Sequence, residues 1–361
     1  MVTSSAAPPR PALWRRGWNA LRRDCFSSPA NGLTTLVLVG LLLWGGARLG
    51  SWAFVHARWG HADVAACNAL AGEGACWSVV AEKWRQMLFG VYPQGQQWRP
   101  ALAIAVFGAM LVGSGWRACW RWRRLAVLWL AGSGLSGWLM AGGLGLAPVA
   151  SDQWGGLPIT LMLAVYGAVA AFPLGVLLAL GRRSQLPVLR AVSVAYIELV
   201  RGVPLVTVLF MASLMLALFL PEGVSIDKLL RAQIAVILFN AAYLAEVVRA
   251  GLQALPKGQT EAAQALGLGY WQTQALVVLP QALRVTIPAQ VNSFIDNFKD
   301  TSLVVIVSIS DFLFAVKQAV IGDLDWRHYF VEAYLFAMAV YWICCFALSR
   351  YCRWLERHLS R

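Results

Sequence analysis

Glu261-Ala262-Ala263-Gln264-Ala265-Leu266-Gly267, followed ten residues on by Val277-Val278-Leu279-Pro280, is a polar island in an oily chain. Upstream, Pro256-Lys257-Gly258-Gln259-Thr260 supplies a turn, and Thr260 or Gln259 stands where it can cap the good helix formers from Glu261 to Leu266. Gly267 can take the left-handed conformation that closes a helix and reverses the chain. A second short helix is expected over 270–279, broken by Pro280. The stretch 256–290 therefore reads as a helix, a glycine corner and a helix held at a membrane surface. Small alanines let another protein approach closely, and Glu261 offers a charge to a basic partner.

Composition says what surrounds this module. The 361 residues are 59% hydrophobic and only 13% charged, about half the charged fraction of a soluble domain, so the chain is an all-α polytopic membrane protein. A window of about 19 residues picks out eight spans, near 32–55, 101–116, 125–149, 157–180, 204–220, 229–248, 301–320 and 329–348. The chain divides near Ser151: 1–150 holds an N-terminal tail and three spans, and 151–361 holds five spans and the distinctive punctuation. No internal repeat is visible, which counts against inverted-repeat transporters.

Arginines set the orientation. Arg10, Arg15, Arg16, Arg22 and Arg23 precede the first span, Arg117, Arg121, Arg123 and Arg124 follow the second, and Arg182, Arg183 and Arg190 follow the fourth. Arg350, Arg353, Arg357 and Arg361 follow the eighth, so both termini are expected in the cytoplasm, with Asp152, Glu222 and Asp323 outside. The net charge of +13 is thus a topology signal spread among loops, and no nucleic-acid partner is needed to explain it. The first apolar run is long and lacks a small-residue site after it, so it reads as a span and not a cleaved leader.

Of the seven cysteines, Cys344 and Cys345 read as apolar fillers within a span. Cys67 and Cys76 lie in the outer loop around a short hairpin at 68–75; an oxidising compartment would close them into a disulfide, and the alternative is two free thiols. His56 and His61 lack further ligands at metal-binding spacing.

The spacing Glu-Ala-Ala, three residues, Gly, nine residues, an aliphatic, one residue, Leu-Pro resembles the coupling loop of permease subunits in bacterial ATP-driven importers. Trp154-Gly155-Gly156-Leu157-Pro158, Glu198-Leu199-Val200-Arg201-Gly202-Val203-Pro204, Ala242-Tyr243-Leu244-Ala245-Glu246-Val247-Val248-Arg249 and Asp300-Thr301-Ser302-Leu303 extend the likeness to polar amino-acid permeases. The three-span extension and the run from Gly142 to Pro148 make the chain similar to the long permeases of general L-amino-acid systems. One departure is Val277, where that family usually carries Ile.

The resemblance implies an importer permease core of type I in the last five spans, lying in a bacterial inner membrane. Glu261, Ala262, Ala263, Gly267, Leu279 and Pro280 would contact the ATPase, while Asn240, Tyr243, Asn292, Ser293, Asp300, Thr301 and Ser302 would border the substrate path.

Plainer readings stand beside these. Glu198 and Arg201, three apart, make either a helix-surface pair or the end of an interfacial helix that Pro204 turns into the membrane. Glu246 and Arg249 form either a structural pair gating the inner mouth or a substrate contact. Asn240, Tyr243 and Glu246 share one helix face, toward a cavity or as glue to a neighbouring helix. Asp300 either receives an ammonium group or pairs with Lys299 and caps the next helix.

None of the five lysines completes a phosphate-binding Gly-x-x-x-x-Gly-Lys-Ser/Thr loop, so ATP and Mg belong to a partner and this chain needs no cofactor. The expected partners are a dimer of cytoplasmic ATP-binding subunits, a second permease forming a heterodimer, a periplasmic amino-acid-binding protein and membrane lipid. The competing class is a gradient-driven secondary transporter or channel. An intramembrane enzyme is disfavoured because Ser302 and Ser308 have no histidine at their depth.

Overall fold

A computed structural model describes residues 22–61, 63–70, 72–215, 218, 219, 221 and 226–359. Arg10, Arg15, Arg16, Leu220, Glu222 and Arg361, used in reading spans and orientation, lie outside them. The chain falls into two compact units, Met1–Ser78 and Val79–Arg361.

In the first unit, Ser28 caps α1 (Pro29–Gly50), which continues through a π-helical turn to Val55. No residue of α1 is buried within the chain. The following segment folds back on its end: Ala75 N donates to Trp52 O at 2.9 Å and Trp77 Nε1 to Ala53 O at 2.8 Å. Cys67, on the short α2 (Val64–Asn68), is joined to Cys76 with the Cα atoms 5.7 Å apart. Cys76 forms an isolated parallel bridge with Arg58, and the hairpin expected at 68–75 includes residue 71, which lies outside the described residues.

The second unit runs α3 (Ser78–Phe89), α4 (Trp98–Gly115), α5 (Trp122–Ala141), β1 (Gly155–Gly156), α6 (Leu157–Arg182), α7 (Pro187–Arg201) and α8 (Leu205–Phe210). It continues with α9 (Lys228–Ala254), α10 (Gly258–Ala265), α11 (Tyr270–Thr273), α12 (Leu279–Val285), α13 (Ile287–Asp300), β2 (Ser310–Asp311), α14 (Phe312–Ile321) and α15 (Phe330–Leu359). At its centre α6 and α9 pack along their length. A Cβ on Gly167 would stand 2.9 Å from Val236 and one on Gly175 2.8 Å from Leu244, so small residues are what bring the two backbones together.

Among the described residues, Pro29–Val55, Trp98–Gly115, Leu157–Arg182, Lys228–Ala254 and Arg327–His358 are long and apolar enough to cross a bilayer. Pro187–Arg201 with Leu205–Met215 makes a sixth only as a pair bent by 105° at Pro204. Residues 301–320, read from the sequence as one span, are broken. Thr301–Val307 is a 3-10 turn, Ser308 is left-handed at φ 58°, and Ser310–Asp311 pairs in parallel with Gly155–Gly156 before α14 begins.

Two causes account for the break. The β-branched run Val304-Val305-Ile306-Val307 is a poor helix former. Asp311 then spends its carboxylate on Leu313 N at 3.0 Å and Phe314 N at 3.1 Å, restarting a helix rather than continuing one. Ahead of the break, the 14 residues of the polar α13 and the 7 of the 3-10 turn run on from one another, a combined rise of about 35 Å along the chain.

Candidate functional site

The module at 256–290 closes as an elbow. Leu268 N donates to Ala263 O at 3.2 Å and Gly267 N to Gln264 O at 2.9 Å around a Gly267 at φ 81°, the paired bonds of a glycine-terminated helix. Its start differs from expectation. Lys257 occupies the cap position of α10 without a side-chain bond, and Gln259 and Thr260 lie inside the first turn, because the helix already begins at Gly258 behind Pro256. Nor does Pro280 break the second helix: a π-helical turn at Gln274–Val278 shifts the hydrogen-bond register ahead of it, and Pro280 sits in the first turn of α12, where no donor is missed.

Ala263 is buried, whereas Glu261, Ala262, Leu266 and Gly267 face outward. The return limb is wedged against α9, since a Cβ on Gly251 would stand 2.6 Å from Ala282 O. Val278 and Ala282 share a buried cluster with Val248 and Leu252. Between the elbow and the α6–α7 turn lies a cavity of about 820 Å³ whose wall includes Arg183, Leu186, Lys257, Glu261, Tyr270 and Trp271.

At the same end of α6 and α9, three arginines converge on Glu246, whose side chain is 16% exposed. Arg249 Nε lies 2.9 Å from Glu246 Oε2, Arg182 Nη1 2.8 Å from Oε1, and Arg201 Nη1 3.6 Å from Oε2. Burying one carboxylate among three cations satisfies its charge while pinning α6, α7 and α9 together. The proposed Glu198–Arg201 pair does not form. Arg182 reaches Glu198 Oε1 at 2.9 Å, and Arg201 swings to Glu246 and over the Tyr243 ring at 5.6 Å. Arg182, read in the sequence only as an orientation marker, is the bridging residue of the cluster.

Farther along the helices, Asn240 is buried and donates to Asn297 Oδ1 at 2.7 Å, while Asn297 Nδ2 donates to Ala164 O at 2.8 Å. This amide chain ties α6, α9 and α13 together, the arrangement expected of Asn240 acting as glue to a neighbouring helix. Tyr243 is 38% exposed. Thr301 is buried and bonded back to Phe298 O, and Ser302 is partly buried beside it.

Asn292, Ser293, Asp296, Lys299 and Asp300 recur three or four apart on one side of α13, with Asn292, Asp296 and Lys299 exposed. Lys299 pairs with Asp296 at 3.6 Å, and Asp300 ends α13 and holds the cap position of the following 3-10 turn without a side-chain cap bond. Asp296 was missed in the sequence; its spacing from Asn292 and Lys299 was the available signal.

The family described as "Binding-protein-dependent transport system inner membrane component" matches residues 171–361. The chain is 47% identical to the inner membrane amino-acid ABC transporter permease protein YhdY of Escherichia coli K12, over 98% of this chain and 96% of that protein. It is 39% identical to the glutamate/glutamine/aspartate/asparagine transport system permease protein BztC of Rhodobacter capsulatus, over 94% and 93%. A solved amino acid ABC transporter with histidines aligns at a TM-score of 0.48 and 29% identity, over 56% of this chain and 91% of that chain.

Proposed function

Since this chain belongs to the family of binding-protein-dependent transport system inner membrane components, we propose that it forms half of a pore for polar L-amino acids and is driven through the elbow at 256–290. It is a membrane permease subunit of an ATP-driven importer and not itself an enzyme; ATP is hydrolysed by a partner chain. An ATPase and a substrate-binding protein are its partners. Family membership sets the gradient-driven alternative aside.

In this reading the chain crosses the membrane eight times with both ends in the cytoplasm, the seventh crossing being 287–307. The elbow and the Glu246 cluster then lie on the cytoplasmic side, and the β1–β2 pairing lies outside. The exposed polar stripe of α13 supports a substrate route, because charged side chains at bilayer depth face water or protein in preference to lipid. A stripe open on one side of one chain calls for a facing wall, which a second, sister permease supplies as a heterodimer.

The observation that carries the coupling role is the contact of Gly251 with Ala282. It joins the outward-facing Glu261-Ala262 surface to α9 through a close backbone crossing, so a push on the elbow moves the helix that holds Glu246 and Asn240. Glu261→Lys tests it. The exposed charge reversal should leave the membrane level unchanged while ATPase co-purification and amino-acid uptake fall. Normal association and full uptake would show that this loop is not the coupling element.

A further inference from the structure

The segment between residues 79 and 100 belongs to the extension before the permease core, yet it meets that core backbone against backbone. α3 ends at Gly90, at φ 62°, where a Cβ would stand 2.9 Å from Gly155 Cα and 3.0 Å from Gly156 N. In return, a Cβ on Gly156 would stand 2.1 Å from Leu88 O. No side chain fits on either side of this contact. Gly155–Gly156 is the strand paired with Ser310–Asp311, and Asp311 caps α14.

Two turns earlier on α3, Lys83 Nζ donates to Asp323 Oδ2 at 2.7 Å, and Asp323 lies just beyond the far end of α14. The Lys83 ammonium holds the Asp323 carboxyl below the usual carboxylate range. One short helix and the glycine after it therefore hold the chain on both flanks of α14, through Asp323 beyond its end and through β1 beside the strand that precedes it.

The grip is anchored from behind. Met87, Phe89 and Tyr92 are buried, and Tyr92 Oη donates to Met140 O at 3.0 Å. Arg99, also buried, donates to Leu139 O at 2.6 Å, a carbonyl left open at the end of α5, and to Ala147 O at 2.9 Å in the loop beyond it.

We propose that α3 and Gly90 form a strap that fixes the lip of β1, β2 and α14 at the extracytoplasmic mouth, with Lys83 and Gly90 as its positioning residues. This rests on the orientation given under Proposed function. The strap gives the long form of the permease a mouth whose rim is held by the extension, so that a docking binding protein meets a set surface.

The test places a reporter in the lip: Ser310→Cys in the full chain, labelled in intact cells with a membrane-impermeant maleimide, with the chain lacking this cysteine as the blank. Ser310 is partly buried, so labelling of the otherwise native chain should be slow. Lys83→Asp and Asp323→Lys should each raise the rate roughly two- to five-fold, the size expected of a part-exposed ion pair, and the combined swap should return it toward the starting value. Gly90→Val should raise it further.

Unchanged rates in the single charge variants, or a swap that labels as fast as either single variant, would overturn the strap. Should Gly90→Val fail to accumulate, the charge variants decide, since both groups are part-exposed and a surface pair of this kind contributes too little to folding for its loss to unfold the chain. Labelling seen only after the membrane is opened would instead overturn the outward placement of the lip, and the strap's role with it.

Discussion

Gly267→Val isolates the corner on which the elbow depends. At φ 81° an L-residue meets its own following carbonyl, a cost of about 1–2 kcal/mol that is largest for β-branched side chains. Unwinding the corner instead gives up the Leu268–Ala263 and Gly267–Gln264 bonds, each worth about 0.5–1.5 kcal/mol. The cheaper of the two routes sets the cost, so the native elbow is disfavoured by a factor of about 5–30, too little to unfold the remainder of the chain.

Space inside the chain is not the issue, since nothing lies within 4 Å of a Cβ at this position. Gly267→Asn is thus the control, because Asn tolerates the left-handed region. In cells expressing equal membrane levels, the Val variant should lose most amino-acid uptake and ATPase co-purification, and the Asn variant should keep the larger part of both. Full activity in the Val variant would refute the corner's role; equal loss in both variants would locate the defect in the partner's contact and not in the backbone.

Reporter fusions at Asp152 and Asp323 should read as outside and at Arg124, Arg183 and Glu261 as inside; an outside Glu261 would overturn the topology. Glu246→Gln should cost about 1.5–3 kcal/mol, as expected when part-exposed cations lose a shared carboxylate, and should lower the melting temperature of the purified complex; an unchanged melting temperature would count against the cluster. Cys67 and Cys76 should resist alkylation until reduced, and replacing both with Ser should cost about 2–3 kcal/mol in the unit they close. For Asp323 the folded value lies below the unfolded one, so the Lys83 pair stabilises above about pH 4 and the gain is lost as pH falls through the folded value. Wild type and Lys83→Gln should therefore differ by up to about 1 kcal/mol at pH 7 and converge in acid, as measured by thermal unfolding.

Local chemistry was legible in the residues themselves. The oily composition, the arginine clusters at span ends and the glycine corner each depend on a few neighbouring side chains, so the elbow around Gly267 was readable in outline. Its edges were not: Thr260 looked like a cap and Pro280 like a stop. Only the backbone path shows that Gly258 already starts the helix and that a π-helical turn absorbs the proline. The run 301–320 is apolar enough to be taken for a span, and hydropathy cannot see that four β-branched residues and the Asp311 cap split it.

What the tertiary structure alone decided were the long-range partners. Glu198 and Arg201 stand three apart, but Arg182 from another helix takes the glutamate, and Glu246 takes the arginine. Asn240 is bonded to Asn297, 57 residues away, and Lys83 to Asp323, 240 residues away. A sequence ranks neighbours along one helix, whereas charge pairing is set by distance in space, and in a bundle of packed helices the nearest opposite charge often sits on the helix next door.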